Sequence, residues 1–329
     1  MNKTIKILLG LLFLQLLITF GLFYNSGLIT PPPESQLLLN ITKNDIKKIT
    51  LTGPGNNQVV LEKTEDLWGL ANYNFPANQA QINQLLDRLL ETKLGTKISK
   101  QKTSHDRLRV SDTGFERKVD LLTVDGNTEI IYFGSAPSLR QSHARLSEDV
   151  NVYVVKFSAN DIDIQSNDWI KKDIFVIKSQ NIDSVSFDKI VLSRSFVDNK
   201  SSNENDTETP TKESAVVWTV SGLKNKQLSN DAATNFINNI ADMRINGIAS
   251  KETIEKIDKS KKSKKFIITM KDGNRITYQL SKITGEEDFL LTTSQKNGTF
   301  RLPPLSGKDL INSSSISFLA GEQEKNLDD

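Results

Sequence analysis

Two serines stand three residues ahead of a lysine, Ser99 before Lys102 and Ser186 before Lys189. On a helix that spacing brings hydroxyl and amine onto neighbouring turns, where a lysine can take the proton of a serine nucleophile in acyl transfer. Such sites also use a Lys-Thr-Gly strand, and Lys282-Ile283-Thr284-Gly285 has the wrong spacing. In a chain this rich in Ser and Lys both pairs are expected by chance, and no Gly-x-Ser-x-Gly elbow is present. The two histidines, His105 and His143, have no carboxylate or second histidine at metal-ligand spacing. Gly53-Pro54-Gly55 lacks the lysine of a phosphate-binding loop and reads as a turn. Cysteine is absent, which removes thiol catalysis, disulfides, cysteine-ligated zinc and a lipobox. No catalytic, cofactor-binding or metal-binding residue is therefore assigned, and no cofactor is expected.

Two other groups of residues carry surface chemistry. Lys259, Lys261, Lys262, Lys264 and Lys265 crowd one short stretch, which reads first as a solvated loop and second as a contact for anionic lipid or an acidic partner. Trp68 and Trp218 hold equivalent places in two similar halves, which predicts core packing ahead of ligand stacking. Trp169, between the halves, is expected to seal their interface. With 42 basic and 40 acidic residues, the net charge of +2 gives no field suited to nucleic acid.

The position of these residues follows from an apolar segment and a repeat. Ile7 to Phe23 is a 17-residue run broken only by Gly10, Gln15, Thr19 and Gly21. With Tyr24 it approaches the ~20 residues of a membrane-spanning helix. Ile7, Leu8, Leu11, Leu12, Leu14, Leu17, Ile18, Phe20 and Phe23 would meet lipid. Lys3 and Lys6 precede the run and no Lys or Arg follows until Lys43, so the N-terminus is expected in the cytoplasm and the rest outside. No convincing small-x-small pair follows the run, which disfavours a cleaved signal peptide. Thr30-Pro31-Pro32-Pro33-Glu34 then reads as a stiff stalk.

Beyond the stalk the sequence repeats itself. Trp68-Gly69-Leu70 answers to Trp218-Thr219-Val220, Asn78–Leu90 to Ser229–Ala241, Val119–Asn127 to Phe266–Asn274, and Val152-Tyr153-Val154 to Thr299-Phe300-Arg301. Each copy has one amphipathic helix. Ile82, Leu85, Leu86, Leu89, Leu90 and Leu94 share a face behind an Asn78 cap; Ala233, Phe236, Ile237, Ile240 and Met243 do so behind Ser229. Asp125-Gly126-Asn127 and Asp272-Gly273-Asn274 between apolar runs mark hairpins. The first copy opens with a hairpin turning at Gly53-Pro54-Gly55-Asn56, and Ile190-Val191-Leu192 is taken as the matching opening of the second. There the polar stretch Asp198 to Glu213 replaces the turn as a disordered insertion.

The expected fold is α+β: two tandem homologous units, each a mainly antiparallel sheet with one principal amphipathic helix, behind an N-terminal transmembrane helix. The boundaries are 1–6 cytoplasmic, 7–24 anchor, 25–44 stalk, 45–158 copy one, 159–180 connector, 181–319 copy two with its insertion at 198–213, and 320–329 a flexible tail.

The pattern of Trp-x-Leu, a short polar stretch, Pro-Ala-Asn and an Ile/Leu-rich helix resembles the bacterial family termed domain of unknown function 4340. It is carried by Trp68-Gly69-Leu70 with Phe75-Pro76-Ala77-Asn78, by Trp218-Thr219-Val220 with Leu228-Ser229-Asn230, and by Ile130 to Gly134 and Val152 to Val155. The resemblance implies a membrane-anchored extracytoplasmic protein, often encoded beside ABC-type export or gliding-motility-like permease components, and no known activity. The functional expectation is a non-catalytic accessory or scaffold subunit at the bacterial inner membrane, with an ABC-type permease as partner. The alternative is a binding module for envelope polysaccharide or lipid, and the third reading an envelope hydrolase.

Overall fold

The computed structural model describes residues 3–25, 36–197, 215–222, 227–258 and 263–321. The polar insertion, the triple-proline stalk, the tail from 322 onward and Lys259, Lys261 and Lys262 lie outside the described residues. The fold is α+β, with two large antiparallel sheets and several helices, and the chain divides into Met1–Lys171 and Lys172–Asp329. The first helix, α1 (Lys3–Asn25), has side chains described only at 5 and 8–21. Among the described residues no helix is long and apolar enough to cross a membrane.

In the first unit the strands are β1 (Ile46–Thr52), β2 (Gln58–Thr64), β3 (Leu67–Leu70), β4 (Phe75–Pro76), β5 (Leu94–Ser99), β6 (Arg117–Thr123), β7 (Thr128–Phe133), β8 (Ser142–Leu146) and β9 (Val152–Val155). Their order across the sheet is β4-β3-β2-β1-β6-β7-β8-β9-β5. Alternation builds it: in β6, Val119, Leu121 and Thr123 are buried while Lys118, Asp120 and Leu122 are half-exposed. Helix α2 (Gln79–Leu90) starts where the Asn78 side chain accepts from Gln81 N and buries Ile82, Leu85, Leu86 and Leu89 at helical spacing. It ends before Leu94, which the sequence reading placed on the helix and which instead opens β5. A short helix, α3 (His105–Leu108), ends in left-handed Arg109.

The second unit contains β10 (Ile182–Phe187), β11 (Ile190–Val197), β12 (Ala215–Ser221), β13 (Gly247–Ile248), β14 (Lys264–Met270), β15 (Arg275–Lys282), β16 (Phe289–Thr293) and β17 (Lys296–Leu302). Their order is β12-β11-β10-β14-β15-β16-β17-β13. Strand for strand this is the order of the first unit with β4 missing. The similarity reaches details. The pairing of β1 with β6 slips between Ile46 and Lys48, and that of β10 with β14 slips between Ile182 and Ser184. At both Asp-Gly-Asn turns the glycine has positive φ, 92° at Gly126 and 84° at Gly273, and the aspartate accepts from the asparagine amide two residues on. Helix α4 (Asn230–Ala241) is capped by Ser229, whose side chain accepts from Ala232 N. Met243 lies past its end, although it is buried. Helices α5 (Lys251–Glu255), α6 (Pro304–Ser313) and α7 (Ile316–Leu319) complete the unit.

Two expectations are corrected. Ile190-Val191-Leu192 starts β11, the counterpart of β2, and the opening strand of the second unit is β10. The insertion therefore falls between β11 and β12, the place held in the first unit by the turn at Glu65-Asp66. The connector is divided between the units. Trp169 is 1% exposed; its indole donates to Asp163 O at 3.0 Å and its carbonyl accepts from Asn78 N at 2.7 Å, so it packs within the first unit. Phe175 packs against Phe300 of the second, ring centroids 4.9 Å apart.

Candidate functional site

The serine-lysine pairs do not assemble. Ser99 Oγ bonds Ser104 Oγ at 2.7 Å, and among the described residues no hydrogen bond joins it to Lys102 or Ser186 to Lys189. His105 is buried with Nε2 2.9 Å from Val150 O, a satisfied core position. The structure does form one hydroxyl-imidazole pair that the sequence spacing did not suggest. Gly134, Ser135 and His143 meet where β7 leads into β8, with Ser135 Oγ 2.9 Å from His143 Nδ1. Burial holds the His143 pKa below its ordinary value, and the nearby Arg107 charge adds to this. A serine nucleophile needs the opposite environment, because accepting its proton makes an imidazolium that a carboxylate should stabilise. The pair is built for the neutral ring.

That environment has a consequence for pH dependence. A base with a depressed folded-state pKa binds fewer protons folded than unfolded, so its contribution is fully present above the unfolded value of about 6.5 and is lost as the pH falls through the lowered one. The melting temperature of the full-length protein should decline over that window. Substitution of His143→Gln, which can still meet Ser135, should flatten the decline; an unchanged slope would assign it to other groups.

The paired tryptophans are buried, 4% exposed at Trp68 and 7% at Trp218. Each ties an outer strand to the first residue of the adjoining helix. Trp68 N donates to Gln79 Oε1 at 2.9 Å while Gln79 Nε2 donates back to Trp68 O at 2.8 Å. Trp218 N donates to Asn230 Oδ1 at 2.9 Å. A cation lies over each ring, Lys63 at 5.9 Å and Arg194 at 5.1 Å from the centroids.

A polar centre surrounds the buried Arg145 on β8, a residue to which its sequence context assigns no role. Its Nε donates to Val110 O at 2.7 Å, one terminal nitrogen reaches the carbonyls of Leu146, Ser147 and Asp149 at 3.2, 3.2 and 3.4 Å, and the other meets Asp112 at 2.5 Å. The guanidinium stacks on Tyr132 at 4.5 Å, and its hydrogen bond holds the Asp112 carboxyl below the ordinary range. All its donors go to the protein's own loops, so it acts as a staple.

Of the basic run, Lys264 is paired with Asp188 at 2.5 Å and lies 5.4 Å over Phe187, while Lys265 is exposed. Lys264 is thus committed within the unit. A groove of about 740 Å³ lies between α4 and the α6–α7 pair. Asn235, Asn239, Asn312, Ser317 and Phe318 line it, with Asp309 the one carboxylate among the described lining residues. A second hollow of about 380 Å³ gathers Asp45, Asp125 and Glu129 near Thr123. Among the described residues no three His, Cys, Asp or Glu side chains converge as metal ligands.

No curated protein and no solved structure matches the chain. Residues 68–265, from Trp68 on β3 to the start of β14, match the family described as Domain of unknown function (DUF4340). The matched segment holds Trp68 and Trp218 with the helices α2 and α4 to which they are tied. Covering more than half of the sequence, the match shows that this chain belongs to that family.

Proposed function

We propose that the protein is a single-pass membrane-anchored scaffold or accessory subunit of a membrane complex, without catalytic activity, whose two extracytoplasmic units arose by duplication of one domain. The observation that carries this reading is α1. Its described side chains from Leu8 to Gly21 are exposed on every face of the helix, including Leu8, Leu11, Leu12, Leu14, Leu17, Ile18 and Phe20. A helix apolar all round belongs in lipid or in a large core. At 1.5 Å per residue its 23 residues rise about 34 Å, against ~30 Å of hydrocarbon. Ile7 and Phe23, also counted in the anchor, have side chains outside those described. Duplication is supported by the shared strand order, the shared bulge, the matching Asp-Gly-Asn turns and the paired tryptophan ties. The proposed partner, an ABC-type permease at the bacterial inner membrane, rests on the family resemblance.

A second reading, a binding module for envelope glycan, is favoured by the groove along α4, whose amides and hydroxyls suit an uncharged polar ligand.

The test is topological and biochemical. A reporter active only outside the cytoplasm, fused after Asp329, is expected to be active, and the full-length protein should stay with membranes through a high-salt wash. Purification in mild detergent should bring a permease and its ATPase along. A soluble form, or a silent reporter beside an active cytoplasmic one, would defeat the anchor.

A further inference from the structure

We propose that strand β12, the outer edge of the second unit, is a self-association site at which two copies of the protein join by antiparallel β12–β12 pairing. The inference stands on a comparison internal to the molecule and does not depend on the membrane anchor.

The first unit closes the corresponding edge. Strand β3 has only four residues, and β4 lies outside it with Gly69 opposite Pro76 and Leu70 opposite Phe75. Pro76 has no N–H to offer a further strand. The Gln79 side chain occupies both Trp68 N and Trp68 O, and Ala77 N adds a second bond to that carbonyl at 3.0 Å. Shortness, proline and side-chain capping are the usual devices that keep a sheet edge from pairing.

Among the described residues the second unit has no outer proline strand and only part of the side-chain capping. There the sheet ends at β12, which is seven residues long. Asn230, one methylene shorter than Gln79, satisfies Trp218 N alone. Because an antiparallel strand turns alternate residues toward its neighbour, the bond from Trp218 N places the main-chain groups of Val216 and Trp218 on the outer side. Among the described residues, neither Val216 N, Val216 O nor Trp218 O has a hydrogen-bond partner. The sequence Ala215-Val216-Val217-Trp218-Thr219-Val220-Ser221 contains no charge and no proline, and most of its residues favour strands. Cross-strand neighbours Phe196 and Val216 are 58% and 40% exposed, an apolar pair at the end of this edge.

A second copy fits this edge because an uncharged strand meets its own twofold mate without repulsion, and a twofold contact closes on itself. The neighbouring residues 198–214 contain no aliphatic or aromatic side chain, so their sequence offers no apolar row to match Phe196 and Val216. Seven residues span about 23 Å of edge, less than a standard interface even with Phe196 and Val216 added. The dimer is accordingly expected to be weak and dependent on concentration.

The experiment uses the full-length protein in mild detergent. Sedimentation across a concentration series should show monomer passing to dimer, and Val216→Lys, which puts a charge opposite Val220 of the second copy at both ends of the paired edge, should weaken the dimer about tenfold or more. The variant's melting temperature should match the parent, since Val216 is exposed. The chain lacks cysteine, so Val216→Cys gives a single site for a short bis-maleimide linker, and the expected product is a covalent dimer of this chain. A parent that stays monomeric, a Val216→Lys dimer as tight as the parent's, or a cross-link to a different protein would each overturn the proposal.

Discussion

Replacing Arg145 with Met is expected to cost the first unit ~3–5 kcal/mol, enough to remove a large share of a domain's stability. The methionine fills much of the space but donates nothing. Carbonyls of Val110, Ser147 and Asp149, all now bonded to the guanidinium, would lose that partner, while Leu146 O keeps its bond from Asp149 N. Each orphaned buried acceptor costs ~1–3 kcal/mol, and water reaching the loop ends offsets part of that. The ion pair contributes little to this figure, because the Asp112 side chain is 68% exposed. Asp112→Asn should therefore shift stability by less than ~1 kcal/mol, whereas Arg145→Lys, which keeps charge but loses the planar fork, should recover only a fraction. Denaturant unfolding of the full-length variants decides the matter. An Arg145→Met protein as stable as its parent would show that the loops at 110–112 and 146–149 hold themselves.

Truncating either paired tryptophan to Ala is expected to cost ~3–5 kcal/mol, the usual range for a buried aromatic. The loss should fall on one unit only: Trp68 is packed in the first and Trp218 in the second. Amide hydrogen exchange resolves this, since protection should collapse across β1–β9 in Trp68→Ala and across β10–β17 in Trp218→Ala. Exchange lost equally in both units would mean that they unfold as one. If instead both variants keep parental protection while function in cells fails, the rings are ligand-stacking surfaces and the glycan-binding reading moves ahead.

Much of the fold could be read from residue order because its local rules are strong. Asp-Gly between apolar runs demanded a hairpin at Gly126 and again at Gly273, and Asn78 and Ser229 announced the two helices they cap. Leu94 and Met243 were misplaced onto helices because an apolar residue at helical spacing looks the same after the helix has ended. In strand β10, Ile182-Asp183-Ser184-Val185-Ser186-Phe187, polar residues break the apolar pattern, so the unbroken run Ile190-Val191-Leu192 next to it reads as the opening strand instead. The polar centres were the least legible. Arg145 gathers carbonyls from Val110 to Asp149, and Ser135 meets His143 across a strand junction, so in both cases tertiary placement supplies the partner. Trp169 showed the same limit: its position between the copies suggested an interface, but its partners are Asp163 and Asn78.

The matched strand orders also set a hazard for the growing chain. Each sheet is closed at its middle by strands far apart in sequence, Leu51 opposite Val119 in one and Val185 opposite Ile268 in the other. Until the later strand emerges, the earlier one waits with an open side, and such long-range closures are slow. Here β10 carries the same bulge as β1 and could be taken up by β6 in its place. Synthesis from the N-terminus averts that error, because β6 is made before β10 and the first sheet can shut before its rival exists. A whole chain diluted from denaturant has no such timetable: both central strands compete at once, and crossed products between the two sheets are the failure to expect.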